Sequence, residues 1–589
     1  MVKIIVELVL VAFFLMRCGS HVRSNSIDHR YKALDPVPFY ANKVGPYNNP
    51  SETYQYYDLP FCRPDHIKDK KQTLGEVLNG DHLIDAPYRL EFQVEKDFEV
   101  ACRKNLTKEE VSQFRSAIKR DFYIQMYYDD LPIWSFLGSV SMERKANVDS
   151  NRYLLHNHIL FEILFNKDSV VEINVRSESL QMIDLTEDKE LYVEFSYTAH
   201  WKNIDSPFET RMERYSESSM LPHHLEFHWF SIMNSCITLL FLSGFLLRCY
   251  MRVLKKDLTG SLQDEKLPIN QEERGWKSIQ DYVFTYPANR SLLAAALGSG
   301  SQLFSLTLLI LLLGLFGTFY PYNRGRLLVA LVVIYTITSC IAGYTSTWFY
   351  CQLEGSNWLG NLLLTGCLFF GPLLFTFGIL NRIATTYKTT SALPFSTIVE
   401  LAFIWTLLAL PLLLLGGIIG KQSKVESQAC FHAQKCAREI PPFRWYRHAL
   451  PHMALAGLLP GSVIYVEVYY LLATVWGYRI FVLYGILFII FILLLITTAI
   501  VTVIFTCYQL VAEDYQWWWR SFLCGGSVGF YLFGYSIYYY HSRSNFSGTL
   551  QISFFFGYMA CISYGIFLML GTVGFLASWL FVRRIYSSL

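Results

Sequence analysis

The sequence predicts a membrane protein with a β-rich lumenal N-terminal domain followed by a nine-helix α-helical transmembrane bundle. Three observations predict this class: long apolar segments follow one another after residue 226, the residues before them are polar, and only 17% of the chain is charged. A soluble domain has roughly 25% charged residues, and a helix needs roughly 20 apolar residues to cross the hydrocarbon layer. The apolar segments are residues 227–247, 291–322, 327–353, 355–381, 397–420, 454–478, 480–512, 521–542 and 544–582.

The first 24 residues have the outline of a signal peptide. Lys3 precedes an apolar stretch at residues 9–16, and the small or polar residues Cys18, Gly19 and Ser20 come directly after it. Such a segment directs the N-terminal domain across the membrane and is removed near its own end, while an uncleaved anchor is the alternative. Both interpretations place residues 25–226 in the lumen of the endoplasmic reticulum or of the compartments that derive from it.

Nine crossings that start in the lumen end in the cytosol, and the basic residues predict the same orientation. The first helix covers residues 227–249, a basic loop covers 250–290, eight helices fill 291–582, and a short tail covers 583–589. Lysine and arginine are concentrated in the loop after the first helix and in the loop after the fifth, at residues 421–447. Both loops are cytosolic in this topology, as the positive-inside tendency requires.

Alternation of apolar and polar residues predicts strands in the N-terminal domain at residues 88–94, 123–128, 170–175 and 191–197. One amphipathic helix is expected at 108–120, with Thr107 as its cap. A β-rich sandwich is the architecture that this pattern predicts.

Covalent chemistry in this domain is expected at three residues. Asn105 begins an Asn-x-Thr acceptor triplet for a glycan. Cys62 and Cys102 lie in the oxidising compartment, where a disulfide between them is plausible; two buried thiols are the alternative.

The sequence contains none of the motifs of a serine hydrolase, a phosphate-binding loop or a zinc protease, which predicts that the chain is not an enzyme and holds no cofactor. A net charge of +2 without a basic patch predicts no nucleic-acid partner. Two histidine groups are candidate metal ligands, but for both a headgroup-facing or structural role is favoured over a metal site. They are His223, His224 and His228 before the first helix, and His156 and His158 on a predicted strand.

Two carboxylates lie inside predicted membrane helices: Glu400 in the fifth and Glu467 in the sixth. Carboxylates at this depth are costly and normally face a bundle interior or a wet cavity. Pro460 with Gly461 would break the sixth helix, and Pro372 and Pro411 could open theirs. A broken helix with an intramembrane acid is typical of an ion- or proton-coupled transporter, but for either residue a neutral, hydrogen-bonded structural acid is favoured over a transport role.

The eighth and ninth helices carry glycines that could let a helix of a cargo protein approach closely, although packing within the bundle is the commoner reason for such glycines. Trp517, Trp518 and Trp519 beside Arg520 predict a lipid-facing anchor at the cytosolic interface. The candidate docking glycines are Gly525, Gly526, Gly529, Gly565, Gly571 and Gly574.

Several blocks of the chain resemble the signature of the nonaspanins, the transmembrane 9 superfamily. The first two are VGPYNNPSETYQYYDLPFC at 44–62 and LGEVLNGD at 74–81, and others lie at 226–235, 437–447, 461–477, 512–527 and 554–575. The resemblance implies a protein of the Golgi, endosome, lysosome or autophagosome membrane that sorts membrane cargo and participates in autophagy. Its partners would be membrane lipids, transmembrane cargo proteins and cytosolic coat machinery.

Members of this family usually end in a cytosolic Lys-x-Asp/Glu tail that binds coat proteins. This sequence ends RRIYSSL at 583–589, so either the given chain is truncated or this member is retained by another signal. Cargo sorting is therefore the first functional hypothesis, and transport through Glu400 and Glu467 is the second.

Overall fold

The computed structural model describes residues 29–63, 70–145, 148–177, 182–208, 211, 225–264, 279–319, 325–423, 448–476 and 484–586. The predicted signal peptide, the tail after Tyr586, His223, His224 and the side chain of His228 lie outside the described residues. So do 265–278 and 424–447, which contain much of the two basic loops.

The N-terminal domain is β-rich, and its strands form three sheets around one apolar core. The first sheet has the order β2-β1-β5-β6, with β3 also paired to β1; the second is β10-β9-β12-β4, and the third is β11-β8-β7. The strands are β1 Phe39–Pro46, β2 Tyr54–Gln55, β3 Ile84–Asp85, β4 Lys96–Leu106, β5 Phe122–Tyr128, β6 Leu131–Phe136, β7 Gly138–Lys145, β8 Val148–His156, β9 His158–Asn166, β10 Ser169–Ser177, β11 Met182–Asp184 and β12 Leu191–Asn203.

Two helices accompany the sheets, α1 Leu74–Leu78 and α2 Lys108–Lys119. Each begins with a capping box, in which Thr73 or Thr107 accepts a hydrogen bond from the amide three residues later and the glutamate there accepts from the threonine amide. Three of the four predicted strands are present as β5, β10 and β12. The fourth prediction, at 88–94, is wrong.

Residues 88–94 form an irregular segment whose alternation has another cause. Tyr88, Leu90 and Phe92 are buried in the core, but the backbone there makes only an isolated bridge between Glu91 and Pro36. Gln93 has a φ of 61°, which ends any extended run. Every second side chain is therefore buried here although the backbone does not form a strand.

Cys62 and Cys102 are joined in a disulfide, with Cα atoms 6.2 Å apart. The bond ties β4 to the segment after β2 and closes a loop of 40 residues, which restricts the unfolded chain.

Asn105 is exposed on β4, opposite Tyr192 of β12. We expect Asn105→Gln to remove the shift in electrophoretic mobility that a glycosidase produces on the mature protein, because the exposed amide is the acceptor in its triplet. Thr107→Val tests the same triplet but also removes the cap of α2. We expect both variants to lose the mobility shift, and we expect only Asn105→Gln to fold normally. A shift that persists in Asn105→Gln would contradict the assignment.

The second half of the chain is helical. Seven of its described helices are long and apolar enough to cross a membrane. They are α5 Arg290–Leu315, α6 Arg326–Gln352, α7 Trp358–Thr386, α8 Phe395–Gln422, α9 Ala449–Trp476, α10 Tyr484–Val511 and α13 Thr549–Tyr586. The others are α3 Leu225–Asp264, α4 Gln280–Val283, α11 Trp517–Gly526 and α12 Val528–Ser542.

Nine membrane-spanning helices were predicted, but by length and apolarity only seven of the described helices qualify, for two reasons. The apolar part of α3 spans only 232–248 among the described residues, and α3 itself continues as a helix to Asp264 into the predicted basic loop. The predicted eighth helix is two helices, α11 and α12, which meet at Ser527. Each of the nine apolar segments contains helix, but two of them depart from a simple span.

The last helix, α13, lies at the centre of the bundle and packs against α5, α7, α10, α11 and α12. On the outside, α8 packs against α6 and α7, while α9 packs against α3, α10, α11 and α12. The N-terminal domain contacts the starts of α6, α8 and α13. We call this end of the bundle the domain face and the opposite end the far face.

Candidate functional site: the domain joint and the α9–α12 groove

The N-terminal domain is attached to the bundle through a short connector, residues 47–53, between β1 and β2. The Asn49 side chain donates to the carbonyl of Ser547 at 2.7 Å and accepts from the Ser547 amide at 3.1 Å. The amide of Ser51 donates to Gln551 Oε1 at 2.9 Å. These bonds fix the connector to the start of α13.

A second part of the same attachment reaches the turn before α8. The amide of Thr390 donates to the carbonyl of Thr53 at 2.8 Å, and the two threonine hydroxyls lie 2.6 Å apart. Because both partners are peptide groups or short side chains, this contact leaves little freedom of position. We use the name domain joint for three sets of contacts: those at the start of α13, those at the turn before α8, and those between α1 and α6 that are described next.

The closest approach in the joint is between two glycines. A Cβ added at Gly75, in α1, would lie within 3.0 Å of the carbonyl of Gly325 and of Val329 at the start of α6. Gly325 itself has a φ of 69° and faces the backbone of Gly75 and Glu76. Only glycine fits this geometry at either position, so the joint depends on backbone-to-backbone packing.

Buried charges support the domain side of the joint. Asp81 follows α1 and is bonded by Lys43 Nζ at 3.2 Å and by Asn42 at 2.9 Å. Burial alone would raise the pKa of Asp81, but the Lys43 charge and the hydrogen bonds outweigh it and hold the pKa below its usual value of 3.8. This carboxylate therefore contributes stability above that value, which is lost only as the pH falls through the lowered pKa.

A groove runs between the middle of α9 and the first half of α12. Gly457 and Gly461 of α9 face α12 one turn apart, and the ring of Tyr531 lies against Gly457, with its hydroxyl donating to the carbonyl of Ala454 at 2.6 Å. At Gly461, by contrast, none of the described side chains lies against the glycine as the Tyr531 ring lies against Gly457. The nearest atom to a Cβ added at Gly461 would be Tyr531 Cβ, at 3.5 Å. The resulting groove of about 180 Å³ is almost wholly apolar in its lining.

The groove opens to the outside of the bundle. Leu458, Ser462 and Tyr465 line it and are exposed, so a hydrophobic segment in the membrane can reach it without the bundle opening. An open apolar groove with a few hydroxyl groups fits a helix or an acyl chain better than it fits an ion.

The two intramembrane glutamates are not brought together. Glu467 is 5% exposed on the inner side of α9, whereas Glu400 is exposed on α8. These helices pack on different neighbours, α8 on α6 and α7 and α9 on α3, α10, α11 and α12. The expectation that both acids face a shared interior is therefore wrong for Glu400.

The proline positions also correct an expectation. Helices α7 and α9 run through Pro372 and Pro460 without ending. Near Pro411 the chain forms a π-helical turn at Trp405–Ala409, because proline supplies no amide for the helical ladder and crowds the preceding turn. A broken helix beside Glu467, which the transporter hypothesis requires, is absent from α9 over its described length.

The six candidate docking glycines serve the bundle itself, which corrects their assignment to cargo. A Cβ at Gly525 would lie within 3.0 Å of the carbonyl of Leu570, and one at Gly529 within 3.0 Å of the carbonyl of Ser563. The remaining four meet their own bundle in the same way: Gly526 meets Phe567, Gly565 meets Phe369, Gly571 meets Phe522, and Gly574 meets Thr502. Five of these glycines allow α11 and α12 to lie against α13, whereas Gly565 faces α7.

The tryptophans after α10 are not lipid anchors either. Trp517 and Trp518 are buried, and the indole N–H groups of Trp517 and Trp519 donate to the carbonyls of Val283 and Ala288 at 3.0 and 2.6 Å. They hold the segment before α5 against the far face of the bundle.

The histidines have structural partners where they are described. His158 is buried between Ser196 Oγ at 2.8 Å and Thr198 Oγ1 at 3.1 Å, and stacks on Phe98. His156 lies on the preceding strand, 3.2 Å from the carbonyl of Phe136. Within the described residues no group of three or more His, Cys, Asp or Glu side chains is arranged to hold a metal ion.

The domain joint was not predicted, although two of the sequence motifs form it. Asn49–Thr53 lies within the block at 44–62, and Gly75 lies within the block at 74–81. Asn49, Glu52 and Thr53 are buried, but a polar string of this kind is equally typical of a solvated loop, so no local signal in the sequence indicates this interface.

Comparisons with known proteins show the family. The family model for endomembrane protein 70 matches residues 53–549. "Transmembrane 9 superfamily member 2" of Arabidopsis thaliana is 60% identical over 99% of this chain and 98% of its own. "Transmembrane 9 superfamily member 1" of Bos taurus is 40% identical over 98% and 96%, and "Putative phagocytic receptor 1b" of Dictyostelium discoideum is 40% identical over 96% of each chain. No solved structure gives a significant match.

Proposed function

Because the chain belongs to the endomembrane protein 70 family of transmembrane 9 superfamily proteins, we propose that it sorts membrane cargo proteins through the Golgi and endosomes. In this proposal the α9–α12 groove takes up a transmembrane helix of the cargo, and the protein also serves autophagic membranes. The N-terminal domain is lumenal, the far face is cytosolic, and the loops at the far face meet the cytosolic coat machinery.

The groove is the observation that carries the proposal. It lies between the middle of α9 and the first half of α12, is lined by apolar groups and a few hydroxyls, and opens sideways. A helix that enters it gains van der Waals contacts and short-range hydrogen bonds, which drive helix association in lipid. Transport needs a different geometry, because Glu400 and Glu467 would have to share a wet cavity.

The domain joint fixes the position of the N-terminal domain on the lumenal side of the proposed cargo site. Its contacts reach the starts of α6, α8 and α13, and α13 packs directly against α12. The N-terminal domain is therefore held over the lumenal end of the bundle, where it can contact the lumenal part of a cargo whose helix occupies the groove.

Filling the groove tests the proposal. Gly461→Phe is expected to reduce surface delivery of a membrane cargo by about threefold or more, because a Phe side chain from this position enters the groove that a cargo helix would use. The first atom of the new side chain is tolerated, since a Cβ at Gly461 makes only ordinary contacts. The measurement is quantitative surface proteomics in cells that express only the variant.

Gly244→Phe is the matched control. Gly244 is an exposed glycine of α3, and no atom of the described residues lies within 4 Å of its Cβ position, so the same side chain points into lipid. Normal delivery with Gly244→Phe and reduced delivery with Gly461→Phe, at equal protein levels, supports the groove. Equal delivery with both variants would overturn it.

A further inference from the structure

A second surface of the bundle carries a charge where an apolar side chain is expected. Ser396, Glu400, Phe403 and Leu407 follow one another at helical spacing on α8 and are all exposed. The opposite face of α8 packs on α6, where Ser339 Oγ donates to the carbonyl of Ala409 at 3.0 Å. We call these four residues the α8 stripe.

The orientation of the stripe is fixed at both ends. At its start, the turn before α8 is bonded to Thr53 through Thr390. At its far end, Trp405 of the π-helical turn stacks on Phe370 of α7, with ring centroids 4.6 Å apart and planes 7° apart. The helix cannot easily rotate to bury Glu400, so the carboxylate stays on the outer surface.

Glu400 lies five residues after Phe395, which places it about 7.5 Å along the helix axis from the start of α8. Within the part of the chain that the structure describes, no ion pair or hydrogen bond reaches its carboxylate. Its neighbours on the surface are large and apolar: Phe403 is 57% and Leu407 is 63% exposed. An ionised carboxylate among apolar groups in lipid is costly unless a cation approaches it.

We propose that the α8 stripe binds a transmembrane helix of a cargo protein that carries a lysine or arginine in the lumenal third of its span. The proposal rests on the cargo-sorting function above and names one chemical class of cargo. The cation pairs with Glu400, and apolar side chains of the cargo helix pack on Phe403 and Leu407. The charge selects the cargo, because an unpaired lysine or arginine in lipid is costly in the same way.

The test uses single-span reporter proteins with a leucine-rich span of about 20 residues. One reporter carries a lysine roughly five residues from the lumenal end, a second carries a glutamate there, and a third carries leucine. A photo-crosslinking amino acid at Phe403 reports contact with the stripe. The same amino acid at Phe375, which is 72% exposed on α7, reports non-specific collision in the membrane.

The lysine reporter is expected to crosslink at position 403 in the unmodified chain at least about threefold more than the leucine reporter. Glu400→Gln should remove this preference at unchanged protein level, because the amide keeps the size of the side chain but not its charge. Glu400→Lys should transfer the preference to the glutamate reporter, which a purely structural role of Glu400 would not do.

Equal crosslinking of all three reporters at position 403, or no response to either variant, would overturn the proposal and show that the carboxylate only reaches toward the headgroups. The two proposals fail separately. If Gly461→Phe reduces cargo delivery but crosslinking at position 403 does not depend on charge, only the proposal for the α8 stripe is refuted. If crosslinking depends on charge but Gly461→Phe leaves delivery normal, only the proposal for the α9–α12 groove is refuted.

Discussion

Gly75→Ala is expected to loosen the N-terminal domain from the bundle by about 1–3 kcal/mol. The new methyl group would lie within 3.0 Å of the carbonyl of Gly325, and a backbone carbonyl cannot move aside as a flexible side chain can. The domain must therefore shift away from α6. This shift stretches the hydrogen bonds at Ser51 and Thr390, which belong to the same rigid joint.

Hydrogen exchange measures this effect directly, because backbone amides cross the joint. The amide of Ser51 donates to Gln551 and that of Thr390 donates to Thr53. A loss of about 1.4 kcal/mol corresponds to a tenfold change in an equilibrium constant, so exchange of these amides should quicken by roughly that factor. Amides in the centre of β5 should keep their rates, since the domain remains folded.

Gly378→Ala is the control for this variant. Gly378 lies on α7, and within the described part of the chain no atom comes within 4 Å of its Cβ position. Alanine favours a helix over glycine by roughly 0.5–1 kcal/mol. Unchanged exchange at the joint is expected there. Unchanged exchange in Gly75→Ala as well would mean that the glycine contact does not hold the domain.

The sequence alone was sufficient for the large elements of the fold, because they depend on patterns that are local. Runs such as 327–353 and 480–512 are helical, since a helix pairs the polar N–H and C=O groups of its own backbone where lipid offers them no partner. The helix at Lys108–Lys119 was predicted by its cap and its apolar face. The alternation at 123–128 also predicted a strand, although β5 is buried on both faces.

Local patterns failed where the decisive contact is distant in the chain. The alternation at Tyr88–Phe92 reflects burial against the core and not strand pairing. Trp517 and Trp518 look like interfacial residues, but the segment that covers them lies more than 200 residues earlier, near Val283. The glycines at 525 and 571 allow close helix contact, as predicted, yet the contacting helix belongs to the same chain.

The candidate site was predictable only in part for the same reason. Glu400 and Glu467 were recognisable as unusual because charge in an apolar run is visible in any sequence. Whether a helical residue faces its own bundle or lipid depends on which helices pack together, and here the outcome is opposite for the two acids. The joint at Gly75 and Gly325 connects residues that are 250 positions apart in the chain and was not predicted at all.

Arg520→Ala is expected to destabilise the far face of the bundle by about 3–5 kcal/mol. The Asp514 side chain is 1% exposed, and Arg520 Nη1 lies 2.9 Å from its carboxylate. The other donors to Asp514 are neutral: Gln509 Nε2 and the amide of Gln516, each at 3.0 Å. Removing the guanidinium leaves a buried carboxylate with no adjacent cation, which costs more than the ion pair itself contributes.

The midpoint of thermal unfolding, followed in purified protein, measures this loss, and a double variant identifies its cause. Asp514→Asn in the Arg520→Ala background removes the uncompensated charge and keeps hydrogen-bonding atoms in place, so it should recover part of the lost stability. Arg520→Lys should fall between the unmodified chain and Arg520→Ala, because lysine restores the charge but not the planar geometry of the guanidinium. If the double variant is no more stable than Arg520→Ala alone, the packing of the arginine side chain accounts for the loss, and the buried charge does not.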